Sequence, residues 1–437
     1  VRASGIAPDE FGGIGLSAAM VGAWVVDAVG EALRPGIIWE DSRSQPIIDE
    51  MMAKDPDVMS RIFDSSGSIM QQGCTLPVLA WLARNETDVL KRAAHVYGYK
   101  DFLRMKLTGL AATDRVEASV SPGDARARTH SDAMIALFGL DDWRRLLPEV
   151  RDSETVHGGL LDDVAAELGL PVGLPVAIGA GDVAATVIGA GGLVPGSVTA
   201  VLGTTGMVGR CLDEPLFEPR DMGLLFTLPG HCWYRSMVNV AGTLNLDWAI
   251  DSLAPDLRAR PDCYPFINDM VAAVEKGAEG VTYLPYLSES GIIAPVVDPT
   301  ARAGFSGLTP RHGRPALFRA VFEGVAFAFA DLFEVLGSPD GRIVLTGGGA
   351  QSPLWCQMIA DVTERELFVP DGTQFGARGA ALLAATATGV FPDIRAASAA
   401  MAGDGRRYQP DADSTAAYAP ALQRYRARRD AALRNAN

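Results

Sequence analysis

A lone carboxylate lies in the middle of the chain, shortly before a loop of glycine and threonine. Asp182 is the single charged residue in the segment 179–206, whose other residues are small or apolar. Burying a carboxylate is costly unless it is paired or hydrogen-bonded. A carboxylate in a partly dry cleft can act as a general base beside a substrate hydroxyl. The structural alternative is an aspartate that caps a helix and precedes an ordinary turn.

The loop that follows the predicted strand 197–202 complements this carboxylate. It reads Gly203-Thr204-Thr205-Gly206, and its glycines permit tight backbone conformations. Consecutive N–H groups in such a loop can cradle a phosphate. A base and a phosphate cradle together indicate phosphoryl transfer to an alcohol.

A second glycine-rich loop lies between the predicted strand 342–346 and a helix that begins at Pro353. Strand, glycine loop and helix in this order are typical of nucleotide binding. The alternative is a dinucleotide-binding oxidoreductase with Asp371 on the ribose, although Ser352 stands where its third glycine would be. The loop residues that we expect at the nucleotide are Gly347, Gly348, Gly349, Ala350 and Ser352.

Composition limits the class of protein and its partners. The 437 residues suffice for two domains, and 48% hydrophobic with 21% charged residues is an ordinary globular balance. The net charge of −15 argues against nucleic-acid binding. Five scattered cysteines without a CxxC motif indicate a reducing compartment, so we expect a cytoplasmic protein. The apolar runs 184–207 and 377–390 lack flanking anchors and are expected in a core rather than in a membrane.

The elements that must position these residues alternate between strands and helices. Short strands are predicted at 11–17 and 23–27, followed by a mainly helical region from 45 to about 147. A strand at 175–178 then delivers Asp182. The long apolar segment 314–336 is predicted to form a buried helix.

A charged cluster follows the apolar stretch 35–39. Trp39, Asp41 and Arg43 lie where open α/β folds place ligand contacts, at the end of a strand. The alternative is that Asp41 and Arg43 simply pair with each other on the surface.

Together these motifs resemble the FGGY carbohydrate kinases, the group that includes xylulose, ribulose, glycerol and erythritol kinases, and the match runs through nearly the whole chain. The W-x-D-x-R substrate loop corresponds to 39–43, and the G-D motif of the general base corresponds to 181–182. The remaining matches are K-D-[YW]-[LI]…L-T-G at 100–109, G-T-[ST]-G at 203–206, G-x-F-x-G-L…A-x-x-E-G at 304–323, and G-G-G-A-x-S…M-x-A-D at 347–361.

The resemblance implies an α/β protein of two actin-like, ribonuclease-H-like domains with an interdomain cleft. We expect the sugar-binding domain at 1–192 and the ATP-binding domain at 193–437. ATP and Mg²⁺ are the implied cofactors, with Asp182 taking the proton of the acceptor hydroxyl and loop 203–206 holding phosphate. Acceptor contacts are implied for Met20, Trp39, Asp41, Arg43 and Asp182, and no metal ligand is assigned.

The acceptor is expected to be a pentulose such as xylulose, with erythritol or another polyol as the alternative. Met20 lies in Ala-Met-Val-Gly where xylulose kinases carry Q-M-H-G, and Val183 replaces the asparagine of their G-D-N. The segments 118–128, 243–248 and 297–299 resemble the erythritol-kinase branch instead. Two other classes stay open, a catalytically impaired relative that binds ligand and the NAD-binding oxidoreductase.

The chain does not contain the D-x-G-[ST] motif with which these kinases begin. We therefore expect an N-terminally incomplete first domain, and a longer native protein with that hairpin upstream of Val1. The expected partner is a small sugar or polyol, without nucleic acid or membrane, and a homodimer is an open expectation.

Overall fold

The computed structural model shows an α/β chain that divides into two compact units by internal contacts. The predicted division into 1–192 and 193–437 stays a prediction, and Val1 lies outside the described residues. The first unit comprises 1–195, 211–235 and 374–402, and the second comprises 196–210, 236–373 and 403–437. The structure describes residues 4–239, 241–289, 291–401 and 403–434.

The region from 45 to about 147 is largely helical, as predicted. They are α1 (Gln45–Lys54), α2 (Val58–Ser66), α3 (Thr75–Asn85), α4 (Thr87–Arg92), α5 (Tyr99–Thr108), α6 (Arg115–Val120), α7 (Asp132–Leu137), α8 (Asp162–Leu168), α9 (Asp182–Gly189), α10 (Leu244–Leu253), α11 (Pro255–Arg258), α12 (Cys263–Ala272), α13 (Arg314–Val335), α14 (Pro353–Thr363), α15 (Phe375–Ala387), α16 (Ile394–Ala400) and α17 (Ala412–Arg434).

The strands are short in the first half of the chain and longer in the second. They are β1 (Ser17–Ala18), β2 (Trp24–Val26), β3 (His95–Tyr97), β4 (Thr113–Asp114), β5 (Val150–Arg151), β6 (Val156–Gly159), β7 (Pro175–Ala177), β8 (Ala180–Gly181), β9 (Val198–Leu202), β10 (Gly206–Leu212), β11 (Leu224–Leu228), β12 (Cys232–Asn239), β13 (Thr282–Leu284), β14 (Gly304–Ser306), β15 (Ile343–Thr346), β16 (Leu367–Pro370) and β17 (Gly405–Tyr408).

In the first unit, α15 packs closely against α9, the helix that begins at Asp182. A Cβ on Gly379 of α15 would lie 1.9 Å from the carbonyl oxygen of Ala185 in α9. A glycine is therefore required for this approach of the two helix backbones. The approach fixes α9, and with it the backbone of Asp182.

The second unit is built on a sheet in which β9, β15 and β16 are parallel neighbours. β10 pairs antiparallel with β9, and β17 pairs antiparallel with β16. Helix α13 is mostly buried, as its apolar sequence predicts, and it packs against α10, α12 and α14. The parallel strands bring the ends of β9 and β15 to the same edge of the sheet.

Within the ranges that the structure describes, no helix is long and apolar enough to cross a membrane. The apolar run 184–207 forms most of α9, all of β9 and the start of β10, and the run 377–390 forms most of α15. Both lie in the folded units, as predicted for core segments.

Candidate active site

Parallel pairing of β1 with β8 brings two of the predicted site residues together in the first unit. Ser17 pairs with Ala180 and Ala18 with Gly181. Met20 and Asp182 therefore follow the carboxyl ends of neighbouring parallel strands. This is the position at which open α/β sheets place ligand contacts.

Asp182 is the first residue of α9, and the residue that caps this helix is Gly181. The side chain of Asp182 does not cap the helix; its Oδ1 accepts a hydrogen bond of 2.8 Å from the N–H of Val183. The carboxyl is exposed to solvent, yet desolvation by the surrounding protein raises the pKa of Asp182 above its usual value. A raised pKa means a higher proton affinity, which favours the general-base role.

The side chain of Met20 lies over the backbone of Gly181. A Cβ on that glycine would come within 2.1 Å of both Cγ and Sδ of Met20. The next residue, Val21, has a φ of 58° and donates its N–H to Oε1 of Glu117 at 2.7 Å. Met20 is thus in direct contact with the residue that precedes the candidate base.

A buried ionic cluster lies around Glu117. The family motif at 100–109 contains its Lys100-Asp101 pair, but the sequence alone assigned no role to these two residues. Lys100 contacts Asp101 and forms an ion pair with Asp114 at 2.9 Å, and all three side chains are buried. Burial and the nearby carboxylates of Asp101 and Asp114 raise the pKa of Glu117 to about 8. The signal that could have revealed the cluster is Thr-Asp-x-x-Glu at 113–117, since Asp114 caps α6 and Glu117 follows one turn later.

The predicted substrate loop is folded around an ion pair. Arg43 donates from Nε and Nη2 to the two carboxylate oxygens of Asp41, each at 2.8 Å, and its guanidinium lies 5.0 Å from the ring centroid of Trp81. The hydrogen bond from Arg43 holds the pKa of Asp41 below its usual value. The surface pairing considered as the alternative is therefore present, and both side chains are half-buried.

This substrate loop adjoins the turn that holds Met20. The N–H of Gly22 donates to the carbonyl of Gly73 at 3.0 Å. Gly73 in turn lies against the backbone of Trp39, where an added Cβ would be 1.7 Å from the carbonyl oxygen. Trp39 itself exposes 47% of its surface. The structure thus joins the Met20 turn to Trp39 through Gly73 and to Asp182 through Gly181.

In the second unit, loop 203–206 connects β9 and β10, with Gly206 paired to Leu202. Its carbonyls are occupied: Thr204 accepts from the N–H of Gly242 at 2.6 Å, and Gly203 accepts from Thr243 at 2.7 Å. No described residue accepts a hydrogen bond from the N–H groups of Thr204 and Thr205, and both residues are exposed. Consecutive N–H groups of this kind can bind an anion, and the phosphate role of the loop stays a prediction.

The second glycine loop lies directly beside the first. Thr346 at the end of β15 pairs with Val201 in β9, and Gly347 follows with a φ of 96°. A Cβ on Gly347 would lie 2.5 Å from the carbonyl oxygen of Leu202. The structure thus places together two loops that lie more than 140 residues apart in the sequence.

A pocket of about 490 Å³ opens beside these loops, within the second unit. Ser352 caps α14 by accepting from the N–H of Trp355 at 3.1 Å, and its hydroxyl donates to Asn268 Oδ1 at 2.8 Å. An apolar and aromatic lining with a few polar groups suits a nucleoside. The lining residues include Leu246, Tyr264, Asn268, Phe322, Gly348 and Trp355. Ala350, in the same loop, is buried.

The sheet around this pocket differs from the arrangement expected for the oxidoreductase alternative. Asp371, its expected ribose-binding acid, follows β16, whose second neighbour β17 is antiparallel rather than a further parallel strand.

Among the described residues, no group of three or more His, Cys, Asp or Glu side chains is placed to hold a metal ion.

Comparison with known proteins agrees with this geometry. The N-terminal domain model of the FGGY family of carbohydrate kinases matches residues 1–189, and the C-terminal domain model matches residues 198–388. The erythritol kinase of Brucella abortus is 32% identical over 387 residues, 85% of this chain and 73% of that protein. The xylulose kinase of Escherichia coli is 32% identical over 423 residues, 94% of this chain and 83% of that protein.

The fold is also that of solved kinases. A crystal structure of a xyloylose (xylulose) kinase from Brucella ovis is 32% identical to this chain and superposes with a TM-score of 0.86, over 98% of this chain and 87% of that one. The two family models together span most of the chain. Because the family consists of carbohydrate kinases, the match excludes the oxidoreductase alternative. The chain belongs to the FGGY family of carbohydrate kinases, and it is a phosphotransferase that acts on an alcohol group of a small sugar or polyol with ATP as the phosphate donor.

Proposed function

We propose that the acceptor is a pentulose such as xylulose, with erythritol or another small polyol as the second candidate. Support for the first comes from the xylulose kinase of Escherichia coli and for the second from the erythritol kinase of Brucella abortus, each 32% identical to this chain. Val21 and Val183 stand where the xylulose-kinase pattern has polar side chains. These two departures are what keep the polyol as a candidate.

The acceptor contacts are proposed for the first unit. Met20, Trp39, Asp41 and Arg43 would line the acceptor site, and Asp182 would accept the proton of the attacking hydroxyl. The observation that supports this assignment is the contact of Met20 with Gly181, next to a carboxyl whose pKa is raised by desolvation. Asp41 and Arg43, held by one another, would present fixed hydrogen-bonding groups to a polyhydroxyl ligand.

The ATP contacts are proposed for the second unit. The N–H groups of Thr204 and Thr205 would donate to phosphate oxygens, and the loop 347–352 would lie along the adenosine. The pocket beside this loop is open and apolar enough to take a base and ribose. When bound, ATP supplies the γ-phosphoryl group. Mg²⁺ is proposed as its counter-ion, because this ion is typically held by substrate phosphates and one or two carboxylates.

A coupled assay for ADP release tests the proposal over a panel of pentuloses, pentitols and tetritols. We expect one acceptor to give saturable turnover far above the rate of ATP hydrolysis without acceptor. Saturable sugar binding without ADP release would instead indicate a relative that binds its ligand without turnover. The cytoplasmic location and the homodimer stay predictions.

A further inference from the structure

The turn after β1 contains a residue in an unfavourable backbone conformation. Val21 has a φ of 58°, in the left-handed region that β-branched side chains avoid. Its side chain is buried, with 8% of the residue exposed. Such a conformation persists where the surrounding contacts over-determine it, and it is often found at functional sites.

Glu117 supplies the contact that holds this conformation. Its Oε1 accepts the N–H of Val21 at 2.7 Å, across 96 residues of sequence. Glu117 is 5% exposed, and it is fixed in α6, whose first turn is capped by Asp114. Gly98 lies against the same carboxyl, since a Cβ there would be 2.6 Å from Oε1. The carboxyl therefore has little freedom to follow the turn if the turn moves.

Charged groups reach Glu117 from several elements. Lys100 and Asp101 lie on α5 and Asp114 lies on β4, and these three groups act on its carboxyl. The Cys74 thiol faces it from the start of α3, and α6 also packs against β5, β8 and β11. The charged side chains on or directly after β5 are Arg151 and Asp152, and Asp182 directly follows β8. Because burial and two carboxylates raise the pKa of Glu117 to about 8, glutamine is the isostere of its form at neutral pH.

We propose that Glu117 is a positioning residue of the acceptor site. It holds Val21 in the left-handed conformation, and this sets the side chain of Met20 against Gly181, next to Asp182. The proposal rests on the proposed function, since it assumes that Met20 and Asp182 face the acceptor. It assigns a role to a residue that does not itself touch the substrate.

The first test compares Glu117→Leu, which removes the acceptor oxygen, with Glu117→Gln, which keeps one. E117L leaves the Val21 N–H without its partner, so we expect KM for the sugar to rise about tenfold or more, as for loss of one buried hydrogen bond. KM for ATP should change less than about twofold, because no ATP contact is altered. E117Q should retain the wild-type KM for sugar.

The matched control is Ser119→Ala on the same helix. Ser119 is fully buried and its hydroxyl contacts Val116 and Thr227, but not Val21. A general loosening of α6 would raise the sugar KM in S119A as well, and this result would overturn the proposal. Glu117→Ala replaces E117L if leucine prevents folding.

The second test uses the strain at Val21. Glycine adopts a positive φ without steric cost. Adding Val21→Gly to E117L should therefore lower the raised KM for the sugar most of the way back to the wild-type value. If the double variant has the same KM for the sugar as E117L, Glu117 does not act through the backbone conformation of Val21.

Hydrogen exchange provides a readout that does not depend on activity. In E117L the peptide containing Val21 should exchange its amides faster than in wild type, while S119A should leave it unchanged. Unchanged exchange in E117L would overturn the proposal. Absence of turnover with any acceptor in the wild type would defeat the proposed function alone, because the exchange experiment still reports on the Glu117–Val21 contact.

Discussion

The side chain of Met20 covers the backbone of Gly181, at a distance that leaves no room for a Cβ on the glycine. Met20 follows β1 and Gly181 ends β8, two strands about 160 positions apart that pair in parallel. Asp182 follows Gly181 and begins α9. One contact therefore connects the predicted acceptor turn with the predicted general base, inside a single compact unit.

Asp182→Asn should abolish most phosphoryl transfer while leaving ATP binding intact. Loss of a general base typically lowers the rate by about 10²–10⁴-fold. The coupled ADP assay gives kcat, and calorimetric titration gives the affinity for ATP. Asp163→Asn is the matched control, because Asp163 is exposed in the first turn of α8 and accepts the next N–H at 2.9 Å, as Asp182 does at 2.8 Å. Equal activity of the two variants would show that Asp182 is not the base.

Gly348→Ala and Gly349→Ala should have different effects. A Cβ on Gly348 meets no protein atom within 4 Å, whereas a Cβ on Gly349 would lie 2.3 Å from Cγ of Leu202. G348A should therefore fold normally and raise KM for ATP about tenfold or more, with the sugar KM unchanged. G349A should lower the melting temperature because its methyl group displaces a core side chain. A wild-type KM for ATP in G348A would place the nucleotide elsewhere.

Gly379→Ala should separate α15 from α9. The added methyl group would lie 1.9 Å from the carbonyl oxygen of Ala185, and overpacking of this kind costs about 1–3 kcal/mol or more. We expect a lower melting temperature in calorimetry and a lower kcat, since α9 begins at Asp182. Gly376→Ala on the same helix is the control, because its methyl group would meet Thr186 Oγ1 at an ordinary 3.6 Å. If G376A and G379A behave alike, the helix contact does not fix α9.

Glu117→Gln should change how stability depends on pH. The pKa of Glu117 is raised to about 8 in the folded protein, so the folded state binds a proton that the unfolded state releases at lower pH. The free energy of unfolding of wild type is therefore highest at low pH. It falls by at most about 1.4 kcal/mol per pH unit as pH rises from the ordinary glutamate range towards 8. Chemical denaturation from pH 5 to 9 measures the free energy of unfolding of both proteins. The free energy of unfolding of E117Q relative to wild type should increase up to about pH 8 and stay constant above it. Parallel profiles would show that Glu117 titrates normally.

Much of the architecture could be predicted because it depends on local patterns. The sequence predicted a mainly helical region from 45 to about 147, and α1 to α7 lie there. The buried helix α13 follows from its apolar sequence, and the cap of α14 follows from Ser352 and Pro353. These features need only residues within a few positions of one another. Motif order was likewise enough to indicate the kinase family.

The sequence by itself determined the mainly helical region before residue 147, the buried helix α13, the two glycine loops and the presence of a lone carboxylate before the first of them. Only the tertiary structure decided which distant residues meet, because strand pairing and helix packing depend on long-range contacts that no local pattern encodes. Parallel pairing of β1 with β8 set Met20 against Gly181, and pairing of β9 with β15 set Gly347 against Leu202. Glu117 illustrates the limit best: no local pattern links it to Val21, and folding alone brings its carboxyl to the N–H of that residue.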